Sequence, residues 1–390
     1  MMGNSAMLKM LTAFTDEVDD AEFAVREILD QLDLNKNLRK NSVGILFCYT
    51  DFIGTGVMKA VCEALPFAVV GCTTMANSAT QGAGMAALSL GVLTSDQVQF
   101  SAIRSSPLTD TPDASVREAF YRGKQGHGED PALIIAFAPL QHTGGEVMAD
   151  AVFTVAENIP ILGLVACDHT LEYENSYTIF NGSAEKDSAS MVFIYGDIRP
   201  RFFLKVISDE KIQKQKAIIT DSEGGVLREV NGMPLMQYME MLGVSKNNGI
   251  ENIGVVPFIL KYTDGTPPVA RAIYKITPEG YAVCGGKMPE GATLAVGRLD
   301  MDDILKTAWS TVTEALNEHT PSALLMFPCM SRDLALGADY LAEIDVIQKT
   351  IGGRCPYLLA YAGGELCPDF DGNGNLVNRF HNFTFIACAL

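Results

Sequence analysis

Three stretches of the chain repeat one order of sequence patterns, and this repetition restricts the folds that the chain can adopt. Each stretch begins with an apolar segment that is typical of a buried strand. These segments are SVGILFCYTD from Ser42, PALIIAFAPL from Pro131 and SALLMFPCMS from Ser322. Apolar residues at helical spacing follow, and then a second strand pattern begins with a proline, which cannot continue a helix but is tolerated at the start of a strand. The order predicts three copies of one unit.

Each copy continues into a further β pattern, so the unit is predicted as strand, helix, strand, strand. The copies differ by up to ten residues in the distance from a phenylalanine in the first strand to the proline of the second. The spacing is 19 positions for Phe47 to Pro66, 23 for Phe137 to Pro160 and 29 for Phe327 to Pro356. We assign the difference mainly to the loop before each helix. The predicted fold class is α/β (mixed α+β), in which repeated strand-helix-strand-strand units form mixed sheets covered by helices, in two packed domains.

A different stretch separates the second and third copies. It carries β patterns at FFLKVI, KAIITDS, PFILKYT, VARAIYKITPEG and ATLAVGRL, with one short helix from Pro234 and a longer one from Met301 to Leu316. Charged residues concentrate between Pro200 and Asp221. We therefore predict a domain of residues 1–210 and a second domain of residues 211–390.

Composition excludes several classes of function. Charged residues make up 19% of the 390 residues and apolar residues 48%, which is typical of a folded globular chain. The net charge of −18 would repel nucleic acid and anionic membrane surfaces over most of the protein, so we expect neither as a partner. No apolar run has the length of a membrane helix, and we expect no membrane insertion.

Nine cysteines form an odd set without a CxxC pair, and most lie within apolar runs. Buried free thiols of this kind are typical of a reducing compartment. The first twenty residues do not resemble a secretory signal. We therefore expect a soluble, cytoplasmic protein.

Taken together, these motifs resemble the paired N- and C-terminal domains of the FIST family, named for F-box and intracellular signal transduction proteins. The resemblance lies in VGILFCYTD, FAVVGCTT, IPILGLVACD and YTIFNG, and further along in VNGMPLMQYMEMLGV, MPEGATLAVGRLDMDDIL, FPCMSRDLALG, YLLAYAGGELCP and NRFHNFT. It implies a non-enzymatic sensory module that binds a small molecule, with amino acids as the proposed ligands. In bacteria such domains are fused or paired to signalling outputs, so the resemblance implies a signalling protein partner. A subset of the family is described as binding haem and sensing nitric oxide, which leaves haem as an alternative cofactor.

Polar residues follow the strands of all three units, where the carboxyl ends of strands usually form a binding crevice. The predicted ligand-binding residues are Cys72, Thr73, Asp168, Cys329, Ser331, Arg332, Glu365 and Asn382. Arg332 can hold a carboxylate with two parallel hydrogen bonds, and Glu365 or Asp168 can accept from an ammonium group. The set would suit an amino acid or a similar zwitterion. The alternative is that Arg332 and Glu365 pair with each other and hold two loops together.

Strand alternation in NRFHNFT places only one of His381 and Asn382 on the pocket side. We predict Asn382, because an amide can both donate to and accept from a zwitterion. The alternative for Asn382 is a hydrogen bond to backbone at a sheet edge.

Catalytic and metal-binding alternatives have weaker support in the sequence. Cys329 precedes Arg332, and a nearby cation can activate a thiol, but no histidine falls in the same loop. We therefore predict no catalytic residue, and a Cys-dependent enzyme stays the less favoured alternative. The histidines show no metal-binding spacing, and DFDGNGN from Asp369 lacks the closing glutamate of a calcium loop, so we predict no metal site. His142 and His169 are the candidate ligands if haem is bound.

Overall fold

The computed structural model describes residues 8–140, 144–156, 158–170, 173–244, 255–262, 265–317 and 319–390. Within these ranges the strands form three mixed sheets of six strands each and one antiparallel sheet of eight strands. Each of the three mixed sheets contains the strands of one predicted unit. The predicted fold class, with repeated units that form mixed sheets covered by helices, is confirmed.

The elements of each unit follow one order along the chain. The first unit contains β1 (Lys9–Thr15), α1 (Ala21–Leu32), α2 (Leu34–Asn37), β2 (Asn41–Cys48), α3 (Asp51–Gly54), α4 (Val57–Glu63), β3 (Val69–Thr73), β4 (Asn77–Ala79), β5 (Gly82–Gly84) and β6 (Leu88–Ser95). The second contains β7 (Gln99–Arg104), α5 (Pro112–Lys124), β8 (Leu133–Ala138), α6 (Gly144–Val155), β9 (Ile161–Val165), β10 (Thr178–Phe180), β11 (Ser183–Glu185) and β12 (Ser190–Tyr195).

The third unit is interrupted by a long insertion after its first strand, β13 (Arg201–Lys205). The insertion contains β14 (Ala217–Glu223), β15 (Val226–Val230), β16 (Met233–Pro234), α7 (Leu235–Met241), β17 (Phe258–Lys261), β18 (Val269–Arg271), β19 (Ile273–Ile276), β20 (Ala282–Cys284) and β21 (Thr293–Val296). The unit then resumes with α8 (Met301–Asn317), β22 (Leu324–Pro328), α9 (Met330–Leu336), α10 (Ala342–Ile351), β23 (Tyr357–Ala360), β24 (Glu365–Phe370), β25 (Leu376–His381) and β26 (Phe385–Ala389).

The three units share one strand arrangement. The first strand after the leading helix pairs in parallel with the Pro-led strand, as β2 with β3, β8 with β9 and β22 with β23. The last strand of each unit (β6, β12 or β26) pairs antiparallel with the free side of β2, β8 or β22. The strand that begins the unit (β1, β7 or β13) pairs with this last strand at the edge of the sheet. The repeat is therefore longer than predicted, because each copy begins with an additional strand and helix.

FFLKVI was predicted within the strand-rich region between the second and third copies, and this placement is wrong. The strand that it forms, β13, pairs antiparallel with β26, from Arg201 opposite Ala389 to Lys205 opposite Phe385. β13 is thus the first strand of the third unit, in the position that β1 and β7 have in the other units. The insertion separates it in sequence from the rest of that unit. The predicted domain boundary between residues 210 and 211 stays a prediction.

The units exchange their hairpins in a closed ring. The β4-β5 hairpin of the first unit extends the sheet of the third, through β4 and β23. The β10-β11 hairpin of the second unit extends the sheet of the first, through β10 and β3. The β24-β25 hairpin of the third unit extends the sheet of the second, through β24 and β9. Each sheet is therefore completed by residues of another unit.

The inner faces of the three sheets share one apolar core. Side chains alternate along a strand, so Ile45 and Phe47 point inward while Leu46 packs with the helices outside. Phe47 contacts Phe137 and Phe327 edge to face, with ring centroids 5.5 and 5.7 Å apart. The three phenylalanines that mark equivalent positions in the sequence repeats therefore meet in the structure.

The inserted strands form the eight-stranded antiparallel sheet, here called the inserted sheet, with an apolar core of its own. In the described part of the chain, no helix combines the length and the apolar composition that crossing a membrane requires.

Candidate functional site

The ends of strands from all three units meet at one point. Cys167 N donates to Thr73 O over 3.2 Å and joins the second unit to the first. Gly363 N donates to Val165 O over 2.8 Å and joins the third unit to the second. Four buried side chains with sulfur atoms pack together here, with Tyr173 beside them: Met75, Cys167, Cys329 and Met330. We call this cluster, together with the polar groups that border it, the centre.

Glu365 lies at the centre with its side chain fully buried. It opens β24, directly after Gly364, whose φ of +146° and close approach to Phe380 leave no space for a side chain. Thr384 donates its hydroxyl to Glu365 Oε2 over 2.5 Å, whereas Oε1 accepts no hydrogen bond of ordinary geometry, although the Cys329 thiol lies beside the carboxyl. Burial disfavours the charged form and raises the pKa of Glu365 to about 8. A carboxyl oxygen is thus held unpaired in the interior.

The thiols of Cys329 and Cys167 lie in the same cluster, close to Glu365. Burial raises the pKa of Cys329 well above its ordinary value, and the neighbouring Glu365 raises it further. Burial also raises the pKa of Cys167, which donates its thiol to Tyr361 O over 3.3 Å. Both sulfurs are therefore held as neutral thiols, which are weak nucleophiles.

The inserted sheet closes over the centre through two polar contacts. Tyr274 donates its hydroxyl to Gly363 O over 2.9 Å. The side-chain oxygen of Asn382 accepts from Ala272 N over 3.1 Å. A side chain at Gly285 would overlap Asn382 and Tyr274, so the two parts of the protein touch closely here. The centre therefore lies where the three units and the inserted sheet meet.

Arg332 was predicted to bind a ligand carboxylate or to pair with Glu365. In the structure it is fully buried, and it donates to Glu343 Oε1 through Nε over 2.9 Å and through Nη2 over 2.6 Å. Nη2 also contacts Ile304 O at 2.9 Å and the hydroxyl of Thr307 at 2.8 Å. The ion-pair partner of Arg332 is therefore Glu343, and the guanidinium joins α8, α9 and α10.

Asp333, next in the chain, is a polar group that the sequence analysis missed. Its side chain is 4% exposed, and Oδ1 has no hydrogen-bond partner. Burial, and then the charge of Glu343, raise the pKa of Asp333 to about 7. Its position beside Arg332 in the segment CMSRD was the one sequence signal that could have drawn attention to it.

Other predicted site residues hold loops and strands at the edge of the centre. The hydroxyl of Thr73 accepts from Tyr177 N over 2.9 Å. Asp168 accepts from Thr170 N over 2.7 Å and from Asn175 N over 2.6 Å, and so shapes the loop after β9. Two further predicted residues are buried, Cys72 in the core that the three sheets share and Ser331 in α9.

The structure separates the roles of His381 and Asn382. His381 is buried with Nε2 3.2 Å from Cys367 O, and burial lowers its pKa to about 3. Asn382 faces the inserted sheet, and its amide nitrogen donates to His381 O over 2.9 Å. Of the two histidines considered for haem, His169 stacks on Tyr49 with ring centroids 4.8 Å apart, and His142 lies outside the described residues.

A metal ion would need several donor side chains converging on one point. Among the residues that the structure describes, no group of three or more His, Cys, Asp and Glu side chains is placed to hold one. The centre instead contains a buried carboxyl oxygen of Glu365 and two neutral thiols, and Asp333 on α9 carries another buried carboxyl oxygen without a hydrogen-bond partner. Such a site can accept hydrogen bonds from a small polar molecule.

Comparison with known protein families gives two adjacent matches. The FIST N domain matches residues 42–233, and the FIST C domain matches residues 234–368. The first match begins in β2 and covers the rest of the first two units, β13 and the start of the inserted sheet. The second covers the remainder of that sheet and the third unit from α8 into β24. A comparison with curated proteins found no match. The chain therefore belongs to the FIST family of sensory signalling domains, as a FIST N domain followed by a FIST C domain.

Proposed function

We propose that this protein is a sensor that binds a small ligand with an ammonium group at the centre, an amino acid or a similar zwitterion being the first candidate, and that it signals through a partner protein. One observation carries the proposal: Glu365 Oε1 is buried and has no hydrogen-bond partner. An unpaired polar atom in the interior costs free energy, and native proteins rarely keep one without a use. A ligand N–H group would satisfy it.

The groups around Glu365 are better suited to reversible ligand binding than to catalysis. The nearby thiols of Cys329 and Cys167 are neutral because burial raises the pKa of each. Met75, Met330 and Ser331 are each only 5% exposed, so the groups around Glu365 are largely shielded from water. These features favour reversible binding over covalent catalysis.

The position of the centre supplies a means of signalling. A ligand shifts a conformational equilibrium only through its different affinity for two states. A ligand beside Glu365 would lie next to the contact between Tyr274 and Gly363, which joins the inserted sheet to the three units. Binding can therefore be coupled to the position of the inserted sheet, and a partner that reads this position would receive the signal.

A thermal-shift screen of the purified protein tests this function. The probes are the twenty amino acids, related small acids and haem, and an absorption spectrum is recorded beforehand. Ligand at 100 times its dissociation constant stabilises the folded state by about 2.7 kcal/mol, which gives a measurable shift in Tm. We expect a shift with at least one amino acid, lost in Glu365→Gln.

The chain offers a matched control for that variant. Glu27 on α1 also has a buried carboxyl oxygen without a hydrogen-bond partner, but it lies on the outer side of the first sheet. Glu27→Gln should leave the ligand-induced shift intact. A shift with haem alone, or a Soret band in the purified protein, would contradict the amino-group ligand and favour a haem-dependent sensor. No shift with any probe would leave the sensor function without support.

A further inference from the structure

We infer that the inserted sheet is a lid over the centre. The lid turns about its two chain connections, is held closed by ion pairs to α6, and opens to let a ligand reach Glu365. The inference rests on the proposed function, because it assigns the entry route of the same site.

The inserted sheet is the part of the protein that can move while the rest stays folded. Glu365 is fully buried, so a ligand reaches it only when a neighbouring part moves away. The three units are joined by shared ladders, such as β4 with β23, and by one apolar core. The inserted sheet has an apolar core of its own, and in the part of the chain that the structure describes it forms no ladder with the three mixed sheets. Parts joined in this way commonly move relative to each other.

The chain enters and leaves the inserted sheet at one place. The entering connection is residues 206–216, and the leaving connection is residues 297–300. The two connections lie side by side, because Arg298 N donates to Lys211 O over 3.0 Å and Lys211 Nζ lies 2.7 Å from Asp300 Oδ2. Such a pair of adjacent connections can act as one hinge.

The apolar contact between the insertion and the third unit includes both connections. Ile207 and Leu299, one from each connection, belong to the same cluster as Phe383 of the third unit. Among the described residues, the insertion strands and their loops contribute one isoleucine and three alanines to the buried part of this cluster, namely Ile259, Ala270, Ala272 and Ala295. Alanine side chains bury little apolar surface, so separating this contact costs less than opening a core of large side chains.

Charged groups join the inserted sheet to α6 of the second unit. Arg271, at the end of β18, is 1% exposed, and it donates to Glu146 Oε1 over 3.2 Å and to Phe380 O over 2.9 Å. Glu146 also accepts from Lys287 N, and the Lys287 ammonium group forms an ion pair with Asp150. We call Arg271, Lys287, Glu146 and Asp150 the latch. Water can replace these contacts when the surfaces separate, so the latch holds the lid reversibly.

The segment that carries the latch also covers the centre. Ala272, directly after Arg271, donates its N–H to Asn382 Oδ1 over 3.1 Å. Tyr274, two residues further on, donates its hydroxyl to Gly363 O in the turn that leads into Glu365. Because these residues are consecutive, release of Arg271 from Glu146 frees the segment that lies over the centre.

Amide hydrogen exchange measures the opening without any ligand. The reporter is the N–H of Ala272, which is 3% exposed and has its acceptor across the contact. The reference is the N–H of Cys284, whose acceptor, Gly225 O, lies within the inserted sheet. In urea below the unfolding transition, and after correction for intrinsic rates, Ala272 should exchange at least about tenfold faster than Cys284, with a weaker dependence on urea. Exchange of both amides in one event would overturn the inference.

A removable cross-link tests whether the lid moves as a whole. Asp150→Cys together with Lys287→Cys places two exposed thiols across the latch, where a short bis-methanethiosulfonate reagent joins them and a reductant releases them. The cross-link should slow exchange of the Ala272 N–H at least about tenfold, and reduction should restore it. Unchanged exchange would show that Ala272 opens by a local fluctuation, which overturns the inference.

A single substitution in the latch should have the opposite effect. Glu146→Gln keeps the shape of the side chain but removes its charge, so exchange of the Ala272 N–H should become about tenfold faster. Glu118→Gln, also in the second unit, is the matched control, because it removes an exposed ion pair with Arg122. Equal exchange rates in the two variants would contradict the latch.

The lid and the proposed function can fail separately. An amino acid that raises Tm in the thermal-shift screen should bind the cross-linked protein at least about tenfold more slowly than the same protein after reduction. Equal binding rates would overturn the lid and leave the sensor standing. If Ala272 exchange reports the opening and no amino acid binds, the lid stands and the proposed function fails.

Discussion

The hydroxyl of Tyr274 donates to the carbonyl of Gly363 over 2.9 Å, so a strand of the inserted sheet contacts the turn that leads into Glu365. This contact joins the inserted sheet to the segment that carries Glu365. Tyr274 is partly buried, and burial raises the pKa of its hydroxyl above the ordinary value. Its hydroxyl therefore remains a donor throughout the physiological pH range.

Replacing Tyr274 by phenylalanine should weaken this connection. The variant loses one hydrogen bond and leaves Gly363 O unpaired, so we expect the free energy of unfolding to fall by about 1–3 kcal/mol. Urea denaturation measures the change. Tyr121→Phe is the control, since Tyr121 is 64% exposed. An unchanged free energy of unfolding in Tyr274→Phe would show that the contact contributes no stability.

The buried ion pair of Arg332 and Glu343 should be necessary for the fold of the third unit. Arg332→Ala leaves the Glu343 carboxylate buried without its cation, and we expect a loss of about 3–5 kcal/mol in the free energy of unfolding. Replacing both residues with apolar ones, as in Arg332→Met with Glu343→Leu, should restore part of that loss. Lys205→Ala, which removes a partly exposed pair with Glu314, should change stability little. A small effect of Arg332→Ala would argue against a structural role and return Arg332 to the candidate ligand-binding residues.

Stability should depend on pH through the two unpaired acids. Burial raises the pKa of Glu365 from 4.5 to about 8 and that of Asp333 from 3.8 to about 7. The folded state therefore holds more protons than the unfolded chain between about pH 4 and 8, and the free energy of unfolding falls as pH rises through that window. His381 contributes its own change at lower pH, because burial lowers its pKa from 6.5 to about 3.

Measurements between pH 6.5 and 8.5 isolate the acids from His381. We expect the urea midpoint of the unchanged protein to fall over this range, and to fall less in Glu365→Gln, whose side chain cannot ionise. Parallel pH profiles for the two proteins would show that Glu365 ionises at an ordinary pH in the folded state.

Two glycines at equivalent positions in the first two units should resist substitution. A Cβ atom on Gly163 would lie 1.9 Å from Ala136 O, and one on Gly71 would lie 1.7 Å from Leu46 O, so in each case the parallel strands would have to separate. Gly163→Ala should lower the free energy of unfolding by about 1–3 kcal/mol or more. Gly54→Ala is the matched control, because no atom lies within 4 Å of its added Cβ. Equal Tm values for the two variants would contradict the close strand contact.

Measuring thiol reactivity distinguishes the proposed sensor from the alternative of a Cys-dependent enzyme. All nine cysteines are buried, and burial raises the pKa of Cys329. We expect slow reaction of every thiol with an aromatic disulfide reagent in the native state, and reaction of all nine in urea. A single thiol that reacts at least about tenfold faster than the others, identified by peptide mapping, would favour the enzyme.

The sequence allowed the three units to be predicted because their strands carry a strong local signal. Inward residues such as Ile45 and Phe47 recur at every second position, and a proline marks each second strand. The hairpin exchange could not be predicted in the same way. The sequences of β10 and β24 indicate strands but do not indicate their pairing partners. Which sheet edge each strand pairs with is determined by the packing of the three units around one core.

The candidate site was predictable in part. Cys329 and Glu365 follow strands of one unit, and the structure brings them together. The partner of Arg332 was not predictable, because Glu343 lies eleven residues further along on another helix and looks like an ordinary surface acid in the sequence. Tyr274 was missed because it comes from the insertion, and no local pattern shows which part of the third unit the insertion covers.

The ring of exchanged hairpins also affects how the chain can fold while it is being synthesised. By the time Tyr195 has been made, β7, β8, β9 and β12 are all present, but β24, which covers the free edge of β9 in the folded protein, follows some 170 residues later. Until then an apolar strand edge remains open, and such edges readily pair with other chains. A nascent chain that stalls within the inserted sheet should therefore need a chaperone more than one that stalls after His381.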